Sequence, residues 1–226
     1  DYVGSGKADG AIYRPSAGQW WIRNNNGIVL FSLGQAGDQL VPADYTGDGL
    51  ADAAVFRPST GQWWIRNSAN GSIAVRNFGT TNDVAEPGDY DGDGITDLAI
   101  QRGGQNWWLS SSSGDVAVVN FGLANDFNAP GDYDGDGITD WAKVRTVGGT
   151  KYWYLLQSTS GFAVRLFGAT NDVLVPADYD ADGKVDEAVF RPSTGQWWIR
   201  RSASGTLSVT TFGNNSDIAA ISTYIS

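Results

Sequence analysis

Residues 89–97 read Asp-Tyr-Asp-Gly-Asp-Gly-Ile-Thr-Asp, and versions of this phrase recur along the chain. The pattern Asp-Tyr-x-x-x-Gly-x-x-Asp begins at Asp1, Asp44, Asp89, Asp132 and Asp178, with spacings of 43, 45, 43 and 46 residues. A fixed period of about 20 to 50 residues marks a repeat architecture. The repeats fill the chain and predict a single domain of five units, residues 1–43, 44–88, 89–131, 132–177 and 178–226.

Each unit contains four short β-strand signals separated by turn residues. In the second unit these are Leu40–Tyr45, Ala53–Arg57, Gln62–Asn67 and Ser72–Phe78. No segment has a sustained 3.6-residue apolar period, so helices are not expected. Four strands in a repeat of about 45 residues match one blade of a β-propeller. We therefore predict an all-β, five-bladed propeller with four antiparallel strands in each blade.

Proline fixes the place of the first strand in each blade. Pro42, Pro87, Pro130 and Pro176 lie in that strand, and a central strand does not tolerate the lost ladder hydrogen bond. The first strand is therefore predicted to be the inner edge of the blade. Because the chain begins just after such a strand and ends with another, Ile218–Ile225, we predict that the C-terminal strand completes the N-terminal blade and closes the ring.

The composition excludes several kinds of active site. The 226 residues include no Cys, no His and no Met, which rules out thiol and imidazole catalysis and Ser-His-Asp triads. The formal net charge is −10, but 17 of the 25 acidic residues lie in the five Asp-Tyr loops. We interpret this clustering as a requirement for bound cations. Neither membrane insertion nor nucleic-acid binding is expected, since the chain has no long apolar segment and no basic cluster.

The complete aspartate loops carry the oxygen ligands that calcium prefers. Ca²⁺ takes about six to eight oxygens in flexible geometry, whereas Mg²⁺ demands a near-ideal octahedron. Three units have the full pattern D-x-D-x-D-G-x-x-D, and we predict that four carboxylates and the seventh-position carbonyl bind one ion in each. These residues are Asp89, Asp91, Asp93, Ile95 and Asp97 in the third unit; Asp132, Asp134, Asp136, Ile138 and Asp140 in the fourth; and Asp178, Asp180, Asp182, Lys184 and Asp186 in the fifth.

The first two units depart from this pattern. The second unit has lost one carboxylate and is expected to bind calcium more weakly; its corresponding residues are Asp44, Thr46, Asp48, Leu50 and Asp52. In the first unit Val3 and Ser5 replace two ligands, and we expect that site to be empty. The alternative is that all the loops are ordinary Asp-Gly turns that need no metal. Three complete matches in register favour the metal interpretation.

The aspartate loop, followed by a β-strand and by a turn such as Phe78-Gly79, resembles the FG-GAP or VCBS repeats of integrin α-chain-like propellers. The resemblance covers all five units. It implies that the loop joins the first and second strands of a blade and holds calcium on one face of the disc, with ligands met on the opposite face. Integrin-type ligand recognition is not carried over, because the first unit lacks the metal pattern and integrin propellers have seven blades. Five-bladed lectin propellers similar to tachylectin match the size better, although no motif specific to them occurs.

Three units repeat the sequence Arg-Pro-Ser-x-Gly-Gln-Trp-Trp-Ile-Arg, at residues 14–23, 57–66 and 191–200. Adjacent strand residues point to opposite sides, so the two Trp of a pair are expected to fill the wedges on either side of a blade. The same residues can instead form sugar pockets of indole edges and polar groups. The candidate ligand residues are Arg14, Trp20, Arg57, Trp63, Trp107, Trp153, Arg191 and Trp197. As an alternative, the arginines pair with nearby acids in salt bridges between blades.

These features predict a non-enzymatic, extracellular and monomeric calcium-binding module that recognises glycans or a protein partner in adhesion. The alternative is a calcium-stabilised structural or display domain of a larger secreted protein, with no small-molecule ligand. An enzyme is the third possibility, but a glycosidase needs paired carboxylates from different blades. The unrepeated Glu86, Asp115 and Glu187 show no such pairing in the sequence.

Overall fold

The structure, a computed structural model, describes residues 1–3, 9–24 and 27–215, and confirms a five-bladed, all-β propeller. Within these residues no helix is long and apolar enough to cross a membrane. The strands are β1 Gly10–Arg14, β2 Gln19–Asn24 and β3 Gly27–Ser32 in the first blade; β4 Gln39–Leu40, β5 Ala53–Arg57, β6 Gln62–Arg66 and β7 Ile73–Asn77 in the second; β8 Val84–Ala85, β9 Leu98–Arg102, β10 Gln105–Leu109 and β11 Val116–Asn120 in the third; β12 Phe127–Asn128, β13 Trp141–Val147, β14 Thr150–Gln157 and β15 Gly161–Ala169 in the fourth; and β16 Val173–Leu174, β17 Glu187–Arg191, β18 Gln196–Arg200 and β19 Leu207–Thr211 in the fifth.

The first strand of each four-stranded blade is an edge strand, as the prolines predicted. It is shorter than the predicted Leu40–Tyr45, because Pro42 has no N–H to donate and interrupts the ladder. Pairing resumes only as a single bridge between Ala43 and Asp52. The sheets take their first strands from residues before each Asp-Tyr phrase, so the blades lie slightly out of phase with the sequence units. The predicted closing strand, Ile218–Ile225, lies outside the described residues.

The core lies in the wedges between successive blades. Trp63 is fully buried with Leu98 and Ile100 of the third blade, whereas Trp64 packs in the cluster that contains Trp20 of the first blade. Alternation along β6 therefore sends the two members of one Trp pair into different wedges, as predicted. Truncating a buried aromatic of this size costs about 3–5 kcal/mol.

Two wedges also contain ion pairs that were not predicted from the sequence. Lys143 Nζ of the fourth blade donates to both carboxylate oxygens of Glu86 in the third blade, at 2.6 and 2.8 Å, and neither side chain is exposed. Glu187 of the fifth blade pairs with Arg165 of the fourth at 3.0 Å and with Arg200 of its own blade. These unrepeated acids therefore join neighbouring blades.

The strand order separates the connections onto two faces of the disc. The aspartate face carries the loops between first and second strands (44–52, 89–97, 132–140 and 178–186) and the turns between third and fourth strands. The arginine face carries the turns between second and third strands and the crossovers that precede β4, β8, β12 and β16. Contacts confirm the grouping: Ser68 N donates to Asp52 Oδ1 on the aspartate face, and Phe78 N donates to Gly61 O on the arginine face.

Candidate functional site

The first carboxylate of each aspartate loop binds the backbone of its own loop. Asp89 Oδ1 accepts a hydrogen bond from Gly92 N at 2.7 Å, and Oδ2 accepts one from Gly94 N at 2.8 Å. Both glycines have positive φ angles, 77° and 82°, a region that L side chains rarely adopt. Corresponding bonds occur at Asp44, Asp132 and Asp178. The loop is thus folded around this residue by the chain itself.

The last carboxylate of each loop is buried beneath it. Asp97 is fully buried, and its oxygens accept hydrogen bonds from Tyr90 N and Ser111 N, both at 2.9 Å. Burial, with a smaller contribution from neighbouring loop carboxylates, raises the pKa of Asp97 to about 7. The same causes raise the pKa of Asp140 to about 6. In the absence of a cation, the ionised loop therefore carries an electrostatic cost.

Each complete loop brings three carboxylates close together. In the third loop, one oxygen each from Asp89, Asp91 and Asp97 lies within 4.8 Å of the others. The corresponding sets are Asp132, Asp134 and Asp136 in the fourth loop, and Asp178, Asp180 and Asp186 in the fifth. The other predicted carboxylates, Asp93, Asp140 and Asp182, fall outside these sets of three. The structure thus gathers most of each predicted ligand set, without placing all four carboxylates equally close.

The oxygens of these loops fit a hard cation. Within the described residues, no Lys or Arg forms an ion pair with a carboxylate of the loops 44–52, 89–97, 132–140 and 178–186. Asp134 Oδ1 and Asp180 Oδ1 are buried and have no hydrogen-bond partner. A buried carboxylate oxygen without a partner is costly unless a cation or water meets it. Clustered carboxylates without nitrogen or sulfur donors are the ligand set of Ca²⁺ and related hard ions.

Adjacent aspartate loops are linked around the ring. Thr96 N of the third loop donates to Asp44 O of the second at 2.8 Å, and the third and fourth, and fourth and fifth, loops repeat this contact. Ile95 packs so tightly on Gly47 that a Cβ there would lie 2.9 Å from the Ile95 side chain. Lys184 Nζ donates to Asp134 O at 2.7 Å. The seventh-position side chains therefore join neighbouring loops, and the predicted role of their carbonyls as ligands stays a prediction.

The serine-rich turns of the aspartate face were not predicted as part of the site. Each lies between the third and fourth strands of its blade, and its hydroxyls donate to loop carboxylates. The pairs are Ser110 Oγ to Asp91 Oδ2 at 2.7 Å, Ser158 Oγ to Asp136 Oδ2 at 2.6 Å, and Ser202 Oγ to Asp182 Oδ1 at 3.0 Å. The signal was available as Ser-x-Ser-Gly at residues 158–161 and 202–205, where the first serine is the donor; in the third blade the same motif, 111–114, directly follows the donor Ser110. Such outer hydrogen bonds orient the carboxylates of metal sites.

The second aspartate loop is described throughout, whereas only part of the first loop is described. In the second loop, Thr46 Oγ1 lies 3.5 Å from Asp44 Oδ1, at the position where the complete loops have a carboxylate. In the first loop, Asp9 Oδ2 accepts a hydrogen bond from Tyr2 N at 2.7 Å, but residues 4–8 lie outside the described residues. The weaker second site and the empty first site therefore stay predictions.

On the arginine face, the acids of the crossovers are paired with arginines. Arg57 donates from Nε and Nη2 to the two oxygens of Asp38, each at 2.9 Å, and the Asp38 side chain is only 1% exposed. Equivalent pairs of hydrogen bonds join Arg102 to Asp83, Arg145 to Asp126, and Arg191 to Asp172. The structure thus supports the salt-bridge alternative for Arg57 and Arg191. Arg14 lies over the Trp21 ring at 4.7 Å, and the acid that corresponds to it by position, Asp217, is outside the described residues.

Most of the predicted ligand tryptophans are packing residues. Trp20, Trp63 and Trp153 are at most 2% exposed, and their indole N–H groups donate to backbone carbonyls in or just beyond the last strand of the blade, at 2.7–3.0 Å. Buried rings with paired N–H groups offer no surface to a sugar, so the burial argues against the predicted ligand role of these three and supports the packing alternative. Trp107 and Trp197 are half-buried, and their ligand role stays a prediction.

A cavity of about 340 Å³ lies between the second and third blades. Its apolar wall includes Ile65, Leu98 and Leu109, and its polar rim includes Arg76 and the turn 110–114. The volume is at the lower end of the range of about 300–1,000 Å³ that is usual for small-molecule sites. The cavity was not predicted, because its size depends on which side chains face each other across a wedge.

Comparisons with known proteins identify the fold class. No model of a protein family matches the chain, and no curated protein matches it. One similar solved structure is an Agrocybe aegerita lectin that recognises non-reducing terminal N-acetylglucosamine, with 16% identity, a TM-score of 0.56, and coverage of 92% of this chain and 66% of the lectin. Another is BBS1N in complex with ARL6DN, soaked with lead, with 12% identity, a TM-score of 0.51, and coverage of 93% and 66%. The chain spans just under two thirds of both longer chains, and at these identities the similarity shows the propeller fold alone.

Proposed function

We propose that this protein is a non-enzymatic, calcium-stabilised propeller of the FG-GAP or VCBS type that binds carbohydrate. The observation that carries the calcium part is the buried, unpartnered oxygen of Asp134 and of Asp180, each within a set of three carboxylates. A bound calcium ion would supply a positive charge to carboxylates with which no Lys or Arg of the described residues forms an ion pair. The third to fifth loops would hold it, and the second would hold it more weakly.

The carbohydrate part is supported by the cavity between the second and third blades. An apolar wall suits the C–H face of a sugar ring, and a rim of serine hydroxyls and an arginine suits its polar groups. The protein shares its fold with a lectin, from which we carry over the class of ligand and not the particular sugar.

The non-enzymatic part is supported by the positions of the unrepeated acids. Glu86 is held by Lys143, and Glu187 by Arg165 and Arg200. Among the described residues, these acids are therefore bound in structural ion pairs instead of forming the pair that glycoside hydrolysis requires. We further propose a monomer at the cell surface or outside the cell, where calcium reaches the concentrations that weak extracellular modules require.

A glycan array probed with labelled protein tests the carbohydrate part. In millimolar calcium we expect binding to a defined set of glycans, with loss of signal in chelator because the fold is weakened. The double variant Asp134→Asn, Asp180→Asn should bind fewer calcium ions in a calorimetric titration, whereas Asp115→Asn, an exposed acid outside the loops, should not. A folded, calcium-loaded protein that binds no glycan would favour the display-domain alternative. A folded protein that takes up no calcium would contradict the metal part.

A further inference from the structure

Arg76, on the rim of the cavity, has no ion pair with a described acid of the neighbouring blade, although the corresponding Arg165 has one. Arg76 pairs in register with Trp63 in the second blade, and Arg165 pairs in the same way with Trp153 in the fourth. Arg165 forms an ion pair with Glu187 across its wedge. Within the described part of the chain, Arg76 forms no ion pair.

The acid is missing because Leu98 occupies the corresponding position. Leu98 and Glu187 each follow the last aspartate of their loop and begin the second strand of their blade. The wedge between the second and third blades therefore keeps the arginine and replaces the carboxylate with an apolar side chain. A carboxylate from outside the chain can complete the pair, and a carboxylate–arginine pair is a strong, directional interaction.

The space for such a ligand also arises from Leu98. In the next wedge the same position is Trp141, whose ring stacks on Tyr90 with 3.8 Å between centroids. The smaller Leu98 faces Tyr45 in the corresponding place, and both residues line the cavity. Part of the cavity is thus the space that a tryptophan fills one wedge further on.

The rim of the cavity lacks a negative charge found in the complete loops. Thr46 lines the cavity, and the corresponding residues of the third to fifth loops are Asp91, Asp134 and Asp180. A carboxylate at this position would repel an anionic ligand. Two departures from the repeat, at Thr46 and Leu98, therefore meet the retained Arg76 at one cavity and favour the same kind of ligand.

We propose that this cavity binds an acidic monosaccharide, a uronic acid at the end of a glycan. This inference rests on the proposed carbohydrate function and specifies its ligand class. The sugar carboxylate binds Arg76, its C–H face lies on Leu98 and Leu109, and its hydroxyls meet Ser112 and Ser113 on the rim.

The test compares methyl β-D-glucuronide with neutral methyl β-D-glucoside by calorimetric titration in calcium. We expect the acidic sugar to bind the natural chain about tenfold or more tightly than the neutral sugar, and Arg76→Gln to remove this preference. Arg23→Gln, which removes one exposed positive charge from the first blade, is the matched control and should keep it. Leu98→Trp should fill the cavity and abolish the binding of both sugars. Ala74→Trp fills it from the exposed strand β7 and provides the same test if Leu98→Trp does not fold.

The outcomes separate this inference from the broader proposal. If neutral glycans bind but the acidic sugar has no advantage, or if Arg76→Gln and Ala74→Trp leave binding unchanged, the acidic-sugar site is overturned and the carbohydrate function stands. If the folded protein binds no sugar at all, both are overturned.

Discussion

The aspartate face and the arginine face of this propeller solve the same electrostatic problem in different ways. Both place acids at every repeat. On the arginine face the chain supplies the cation, since Arg57 and its equivalents each bind a crossover aspartate through two hydrogen bonds. On the aspartate face, within the described residues, the carboxylates of the second to fifth loops have no such partner. A face with internal cations is complete in itself, whereas we propose that the face without them takes its cation from the solvent.

The pKa values of two buried aspartates show the same difference. Burial alone would raise the pKa of Asp126, but hydrogen bonds from Arg145 lower it below its ordinary value. Burial raises the pKa of Asp97 to about 7, and its backbone donors do not reverse this. Residues of one type, buried in one fold, thus shift in opposite directions because only one has a cation nearby.

The largest effect should come from removing divalent cations, which acts on the aspartate face alone. At a calcium concentration of 100 times Kd, each site contributes about 2.7 kcal/mol. For a chain of this size each kcal/mol moves Tm by about 2–4 °C, so emptying three sites should lower Tm by more than about 15 °C. Calorimetric melting in calcium and in chelator measures this difference. Superimposable melting curves would contradict the metal interpretation.

A smaller effect, independent of calcium, should come from the arginine face. Arg57→Ala leaves the buried Asp38 carboxylate without its partner, which should reduce the free energy of unfolding by about 2–4 kcal/mol. This is less than the full cost of breaking a buried pair, because the Arg57 side chain is 16% exposed. Adding Asp38→Asn should recover part of the loss. Urea titrations with and without calcium test the distinction, and a loss that appears only in calcium would show that the two faces are not independent.

The second loop allows a gain on the aspartate face. Thr46→Asp restores the carboxylate that the complete loops have, and because calcium affinity rises with ligand charge, we expect about tenfold tighter binding at this loop. Calorimetric titration should then resolve one more strong site than in the natural chain. Thr60→Asp adds the same charge to the arginine face and should leave the calcium stoichiometry unchanged. An unaltered titration of Thr46→Asp would rule out the second loop as a weakened copy of the third.

The smallest effect should be a dependence on pH in chelator. An acid whose pKa is higher in the folded than in the unfolded chain destabilises the fold when ionised, so stability rises as pH falls through the folded pKa. Without calcium, Tm should therefore increase by a few degrees from about pH 8 to about pH 5.5, as Asp97 and Asp140 take up protons. Asp126 stays ionised over this range, since Arg145 lowers its pKa.

Calcium should reverse the sign of this dependence, because protons compete with the ion for the loop carboxylates. Melting curves at the two pH values, in calcium and in chelator, provide the comparison. Asp97→Asn should remove part of the rise in chelator, and Asp115→Asn should not. If Tm in chelator instead decreases when the pH is lowered from about 8 to about 5.5, the loop acids are not strained in the metal-free protein.

Local patterns accounted for the parts of the molecule that were predicted. The five blades, the edge position of the first strand and the gathering of carboxylates follow from turn residues, from Pro42 and its equivalents, and from loop spacing. The pairing of Arg102 with Asp83 was missed, although the two lie 19 residues apart, as do Arg57 and Asp38. Arg57 is followed by Pro and Ser, whereas Arg102 is followed by two glycines, so the ion pair does not need the Arg-Pro-Ser motif.

The sequence by itself determined the repeat, the blade and the carboxylate-rich loops, because each depends on residues within a few positions of one another. Only the tertiary structure decided which tryptophans are buried, which acids the chain neutralises and where a cavity is left open. Those outcomes depend on side chains of different blades meeting across a wedge, as Leu98 meets Tyr45 where Trp141 meets Tyr90. The spacing of residues along the chain does not determine the volume of the cavity between side chains of different blades.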